Sequence, residues 1–366
     1  MKVICFYLPQ YHPIPENDKW WGKGFTDWVK VAQARPRFKG HYQPHLPADL
    51  GFYDLRLEET RIEQAKMALQ YGISGFCYYH YWFNTKVLLE RPFNEVLQSG
   101  KPDLPFCLCW ANENWTRTWD GQDQQVLIRQ NYDEYDCNQH IEWLEKAFSD
   151  KRYIKVDGKP LFLIYCASDI PNIGQKISTW TETIIGKGYP GLYLCSVKSF
   201  QNKLSDTEAK NLGFDAVVDF QPNLRNVFKR YGFLEAIKRL ANKFYLYRFV
   251  SRFEMTNVFS YKRLAQEAID KPKSRHIVIP CVMPSWDNSA RRKISIVIQN
   301  NDANLYRKWL ENALYRVKHY PPDQQIVFIN SWNEWAEGCH LEPDQKNGKK
   351  FLQATKEALD NFYGKG

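Results

Sequence analysis

The sequence predicts an α/β protein of the (β/α)8 barrel class, a TIM barrel, and three observations predict it. Eight short runs rich in apolar, β-branched and aromatic residues recur along the 366 residues, each followed by a polar or Pro- and Trp-rich stretch and then by a helix-period segment. Strand and helix alternate throughout, which implies right-handed crossovers and a parallel sheet. No glycine-rich dinucleotide turn follows the first strand, where "YLPQYHPIPEND" stands instead, and this disfavours an open doubly wound sheet.

The expected strands are Val3–Leu8, Ile73–Tyr79, Pro105–Trp110, Leu161–Tyr165, Leu192–Val197, Ala216–Phe220, Ile277–Met283 and Ile326–Asn330. They are nearly continuous apolar runs, as strands covered on both faces require. Expected helices between them are Leu57–Tyr71, Leu88–Leu97, Tyr135–Phe148, Ile173–Lys187, Ser205–Leu212, Val258–Ile269 and Ala303–Lys318, and Gln345–Phe362 closes the chain. Residues 1–366 therefore read as one catalytic domain, interrupted after the sixth strand by an insert at 221–256.

Composition narrows the class. Aromatic residues make up 16% of the chain and include 13 Trp, against an ordinary hydrophobic fraction of 44%. Most such rings belong in a core, but the remainder suit stacking on sugar faces. The nine Cys lie largely inside apolar runs and read as small buried residues in a reducing compartment. "MKVICFYLPQ" enters a strand at once, leaving no room for a signal peptide, and no apolar run is long enough to span a membrane, so a cytoplasmic location is expected.

Chemistry in this fold sits where strands end. Those ends read "PQYHP", "YYHYWFN", "WANENWTRTWDGQD", "CASD", "SVKSF", "DFQPN", "PSWDNS" and "NSWNEWAEG". Strands 1, 2, 3, 7 and 8 thus converge rings, amides and carboxyls on one mouth, the composition of a carbohydrate site. The sugar-binding candidates are Tyr11, His12, Trp20, Trp21, His45, Tyr79, His80, Tyr81, Trp82, Trp110, Asn112, Glu113, Trp115, Asp120, Trp286, Asp287, Trp332, Asn333 and Trp335. Glycosidic bond chemistry needs one carboxyl that donates a proton and another that acts as base or nucleophile. Glu334 and Glu337, three residues apart, can share a site only if the chain turns directly after Trp332. Glu342, beside Pro343, reads instead as a cap or surface charge. His41, His45 and His80 could ligate a metal, but no His pair shares a predicted helix with an acid. No metal centre and no cofactor are expected.

Five segments carry a family resemblance: "FYLPQYHPIPENDKWWGKGFTDW", "RFKGHYQPHLPADLGFYDLR", "GFCYYHYWF", "FCLCWANENWTRTWDG" and "FINSWNEWAEGCHLEPD". Together they resemble the WbsX-like proteins of bacterial surface-polysaccharide gene clusters, a group similar to glycoside hydrolase family 99, the endo-α-mannosidases. The resemblance implies a (β/α)8 barrel and a retaining enzyme in O-antigen or capsule assembly that transfers or cleaves an α-mannoside-like bond. It also implies an oligosaccharide or lipid-linked glycan as partner. The E-x-x-E pattern of the hydrolase family falls on Glu334 and Glu337. Their implied roles are base toward the sugar 2-hydroxyl, giving a 1,2-anhydro sugar, and acid toward the leaving oxygen. Ordinary double displacement with Glu113 as acid/base, an endo-acting hydrolase, and a glycan-binding barrel without turnover are the alternatives.

The segment from Arg225 to Arg252 holds eight Lys/Arg and one acid, so it carries +7 of the chain's formal +9. Phe233, Leu234, Ile237, Leu240, Ala241 and Phe244 mark an amphipathic helix. It reads either as a flap with a solvated basic face or as a peripheral contact with anionic lipid. Basicity confined to one insert, without a nucleic-acid motif, excludes a nucleic-acid role.

Overall fold

The structure, a computed structural model, describes residues 1–117, 122–223 and 255–364. Asp120 and the predicted amphipathic helix of 225–252 lie outside the described residues. Eight parallel strands close a barrel: β1 Lys2–Tyr7, β2 Gly75–Phe83, β3 Phe106–Trp110, β4 Lys159–Ile164, β5 Tyr193–Val197, β6 Ala216–Asp219, β7 Val278–Val282 and β8 Ile326–Ile329. Each strand pairs with its sequence neighbour, and β1 pairs with β8 from Lys2↔Ile326 to Cys5↔Ile329, which closes the ring. Both faces of each strand are covered, so β3, β5, β6 and β8 are buried at every position.

Helices α1 Glu58–Gln70, α2 Arg91–Ser99, α3 Glu134–Phe148, α4 Ile173–Gly186, α5 Asp206–Asn211, α6 Tyr261–Ile269, α7 Ala303–Val317 and α8 Lys350–Gly364 follow strands 1 to 8 in turn. Their starts are set locally. Asp133 accepts from the Asp136 N–H at 2.8 Å and Asp302 from that of Leu305 at 2.9 Å, while Ser205 and Glu208 form a capping box on α5. The barrel interior is aromatic: the Phe6 ring meets those of Tyr79, Phe220 and Phe328 within 5.5 Å. All nine Cys are buried and unpaired.

One expected element changes type. The helix predicted from Val258 begins only at Tyr261, because Met255–Ser260 is a strand paired in parallel with Ile294–Gln299. The latter pairs antiparallel with Trp286–Asp287, making a three-stranded sheet beside the C-terminal mouth of the barrel. This sheet carries the turn that presents Arg291.

Candidate active site

The site is built at the end of β8. After Ile329 the chain makes a two-residue bridge, Asn333–Glu334, and then a 3-10 turn, Trp335–Glu337, closed by Gly338 at φ 54°. The turn that the E-x-x-E spacing requires is therefore present. Ser331 organises it: its Oγ accepts from the Glu334 N–H at 2.9 Å and donates to the Cys339 carbonyl at 2.6 Å. Asn333 ties the turn to the end of β1, accepting from the Leu8 N–H at 2.8 Å and donating to the Leu8 carbonyl at 3.0 Å. The Tyr11 hydroxyl donates to the Asn333 carbonyl at 2.5 Å and accepts from the Trp335 N–H at 3.1 Å.

Gly338 meets two demands at once. Its φ is positive, and a Cβ there would lie 2.8 Å from Asp287 Cβ and 3.0 Å from the Asp287 carbonyl oxygen. Gly338→Ala is expected to cost about 2–3 kcal/mol, from backbone strain and from displacing the β7 loop. Chemical denaturation with an unchanged m-value checks it; an unaltered midpoint would contradict the packing described here.

One guanidinium joins the two glutamates. Arg291 Nη1 lies 3.4 Å from Glu334 Oε1 and 3.3 Å from Glu337 Oε1. The turn carrying Arg291 is held from below by Arg37, whose guanidinium donates to the carbonyls of Ser289, Arg292 and Lys293 at 2.6–2.8 Å. Burial and repulsion from Glu337 push the Glu334 carboxyl well above the usual range, against the pull of Arg291. Glu334 is the more buried of the two carboxyls.

Two further carboxyls join this cluster. Glu113, half-buried after β3, is pushed up to about 7 by burial, with Arg292 and Arg291 opposing. Asp27, the first residue of the short helix Asp27–Gln33, is fully buried, and neither carboxyl oxygen has a hydrogen-bond partner among the described residues. Burial pushes it up to about 7, against the pull of Arg291 and reinforced by Glu337. Asp27 and Arg291 are the members that sequence reasoning missed. Both stand in plain view, in "GFTDW" and "SARRK", but nothing in their local sequence sets them apart from other acids and bases.

The aromatic candidates divide. Trp20, Trp21, Tyr79, Tyr81 and Trp115 are half-buried and form a wall, with Trp115 5.3 Å from Tyr81 and 6.1 Å from Trp20 between ring centres. The Glu334 charge acts on both Tyr79 and Tyr81, which places these rings at the mouth. His80, Trp82 and Trp110 point the other way, into the helix layer. There His80 Nε2 is 3.0 Å from His140 Nε2, Trp82 donates to Asp136 at 3.0 Å, and Trp110 packs edge-on to His140. The reason is the period of two: β2 continues to Phe83, so alternate residues leave the mouth.

Several others serve as supports. Asn112 fastens the end of β3 to the Cys166 backbone at 2.7 and 2.9 Å. Asp287 accepts from Gln43 Nε2 at 2.8 Å and lies 2.6 Å from His41 Nε2, which leaves its carboxylate turned away from the mouth. His12 is buried, with Nδ1 3.0 Å from the Pro9 carbonyl, and His45 is paired with His340. Trp286, Trp332 and Trp335 are buried, Trp335 stacking on His340 at 3.8 Å. Glu342 is no surface charge: it is 2% exposed and accepts from Trp335 Nε1, Tyr53 Oη and Gln64 Nε2 at 2.6–2.8 Å. By accepting from Trp335 Nε1, it pins the indole between the two catalytic candidates.

Comparison with known proteins agrees with the barrel fold. The family model described as Glycosyltransferase WbsX matches residues 3–355. The protein named WxcX, described as uncharacterised, from Xanthomonas campestris pv. campestris strain B100 is 39% identical over 359 residues, covering 98% of this chain and 49% of its own length. Its counterpart from strain ATCC 33913 matches equally, so the chain spans about half the length of these curated relatives. Among solved structures, the GH99 endo-alpha-mannosidase from Bacteroides thetaiotaomicron in complex with BIS-TRIS-propane superposes with a TM-score of 0.60 at 14% identity, covering 99% of this chain and 97% of that one. A glycoside hydrolase-like protein gives 0.57 at 15%, covering 98% and 93%. At such identities these two establish the shared barrel fold.

Proposed function

The chain belongs to the WbsX glycosyltransferase family, and from that premise we propose that it is a retaining enzyme which remakes or breaks an α-mannoside-like bond through Glu334 and Glu337, in surface-polysaccharide assembly. The observation that carries the reading is the single Arg291 nitrogen within 3.4 Å of both carboxyls, at the mouth of a carbohydrate-active barrel and beside an aromatic wall.

Bond breaking on this reading needs one proton on the pair. Glu334 takes the proton of the sugar 2-hydroxyl while that oxygen attacks the anomeric carbon, and the bond to the leaving oxygen breaks. Glu337 supplies the proton that the leaving oxygen gains. Water or an acceptor hydroxyl then opens the 1,2-anhydro sugar, returning its proton to Glu337 as Glu334 reprotonates O2. Two inversions give retention. The scheme starts with Glu334 ionised, against the upward push of burial on its carboxyl. A 2-hydroxyl that donates to Glu334 stabilises its ionised form, so sugar binding itself moves the proton toward Glu337. Arg291, in contact with both, lowers the cost of either arrangement.

Family membership supports transfer, and the first step is common to transfer and hydrolysis. Incubation with free and lipid-linked manno-oligosaccharides, with and without an acceptor sugar, separates them by product mass and by anomeric configuration from proton NMR. Expected is a larger, configuration-retained product that appears only with acceptor. Glycan binding without turnover on any donor would overturn the enzymatic reading.

A further inference from the structure

Behind the catalytic turn, three buried donor groups converge that the reaction does not use. They are His45, from the loop between β1 and α1, and His340 and Asp344, from the segment after β8. One ligand atom from each lies within 4.8 Å of the others. His45 Nδ1 is 2.9 Å from His340 Nε2, and His340 Nε2 is 4.0 Å from Asp344 Oδ2. We infer that His45, His340 and Asp344 form a structural site for a divalent, imidazole-preferring transition ion such as Zn(II), Co(II) or Ni(II), which clamps the β1 loop to the segment supporting the catalytic turn.

The hydrogen-bond network settles which atoms are free to ligate. His340 Nδ1 is 2.9 Å from the Glu342 carbonyl, which can only accept, so Nδ1 carries the hydrogen and Nε2 offers a lone pair. A backbone carbonyl that fixes the tautomer of a ligating imidazole is the usual outer-shell arrangement at metal sites. His45 Nδ1 then donates to His340 Nε2 when no ion is bound. Ion binding moves that hydrogen to His45 Nε2, and no net proton need leave.

Asp344 is oriented in the same manner. Its Oδ1 accepts from the Lys346 and Asn347 N–H groups at 2.8 and 2.6 Å, and Oδ2 accepts from Asn347 Nδ2 at 2.9 Å while facing the imidazoles. The fit is close. Neighbouring ligands about 2.1 Å from an ion sit about 3.0 Å apart in octahedral and about 3.4 Å apart in tetrahedral geometry. The imidazole pair is already at the octahedral spacing, and a rotation of Asp344 about its anchored Oδ1 shortens the two edges to the imidazoles, which lie at 4.0 Å and within 4.8 Å. The two strands of chain are also joined there by backbone bonds, Ala48 N–H to the Pro343 carbonyl at 2.9 Å and Gln345 N–H to that of Leu46 at 2.9 Å. An ion would therefore bind a largely preorganised site.

The test uses the whole chain without a histidine tag, dialysed against chelator, then titrated with Co(II) followed by visible absorption and with Zn(II) and Ni(II) by calorimetry. One saturable equivalent is expected, with a rise in melting temperature. His45→Asn and Asp344→Asn should each weaken binding at least about 10-fold while circular dichroism stays native. X-ray absorption of the Zn(II)-loaded wild-type protein should show imidazole and oxygen ligands, a readout that stands even if a variant fails to fold. No saturable binding of any of the three ions, unchanged affinity in a folded variant, or sulfur ligation by one of the nine thiols would overturn the site.

Discussion

Glu337→Gln is expected to lower turnover by about 10²- to 10⁴-fold with glycan affinity nearly unchanged, because the amide occupies the same space but has no proton to give the leaving oxygen. An aryl glycoside whose leaving group departs without protonation should recover most of the first step. Glu334→Gln should lose both donors alike, since the amide cannot take the 2-hydroxyl proton. Single-turnover kinetics on the two donors separates these patterns. If instead Glu113→Gln shows the rescue and Glu337→Gln does not, ordinary double displacement with Glu113 as acid/base replaces the scheme. Its carboxyl, pushed up to about 7, has the protonation that such an acid needs.

The second large effect concerns stability. Asp27 is pushed up to about 7 in the folded protein, from an ordinary value near 3.8. For a carboxyl raised on folding, the unfolded chain releases its proton first, so wild-type stability falls as pH rises from about 4 to about 7 and stays reduced above that. About three pKa units correspond to up to about 4 kcal/mol. Asp27→Asn cannot ionise and lacks this loss. It is expected to match the wild type below about pH 4 and to exceed it by up to about 4 kcal/mol at pH 8, in denaturant midpoints taken across that range. A constant difference at all pH values would show that Asp27 is paired and not strained. The same variant should be catalytically poorer, because Asp27 adds to the negative field that keeps Arg291 fixed on the glutamates.

Much of the fold was legible locally. Ile326–Ile329, buried at every position, could only be a strand covered on both faces, and the other barrel strands read similarly. The Trp- and acid-rich ends marked the mouth. Errors came where a local reading had two outcomes. His80 and Trp82 read with Tyr79 and Tyr81 as mouth residues because all four stand in "YYHYWFN" at the strand end, although strand alternation sends the first two into the helix layer. Glu342 beside Pro343 read as a surface acid, since nothing nearby in the chain announces Tyr53 and Gln64 as its partners. The segment from Val258 read as helix because its apolar spacing fits either period, and pairing with Ile294–Gln299 decided for strand as far as Ser260.

The sequence by itself determined the barrel, the eight strand ends that face one mouth, and the E-x-x-E turn at the last of them. Tertiary structure alone decided the electrostatics of that mouth. It brought Asp27 from the first loop and Arg291 from the seventh against Glu334 and Glu337, and it placed His45 beside His340 and Asp344 behind them. The physical reason is that charge interactions and desolvation depend on distance through space and on what excludes water. Neither quantity is carried by residue spacing along the chain.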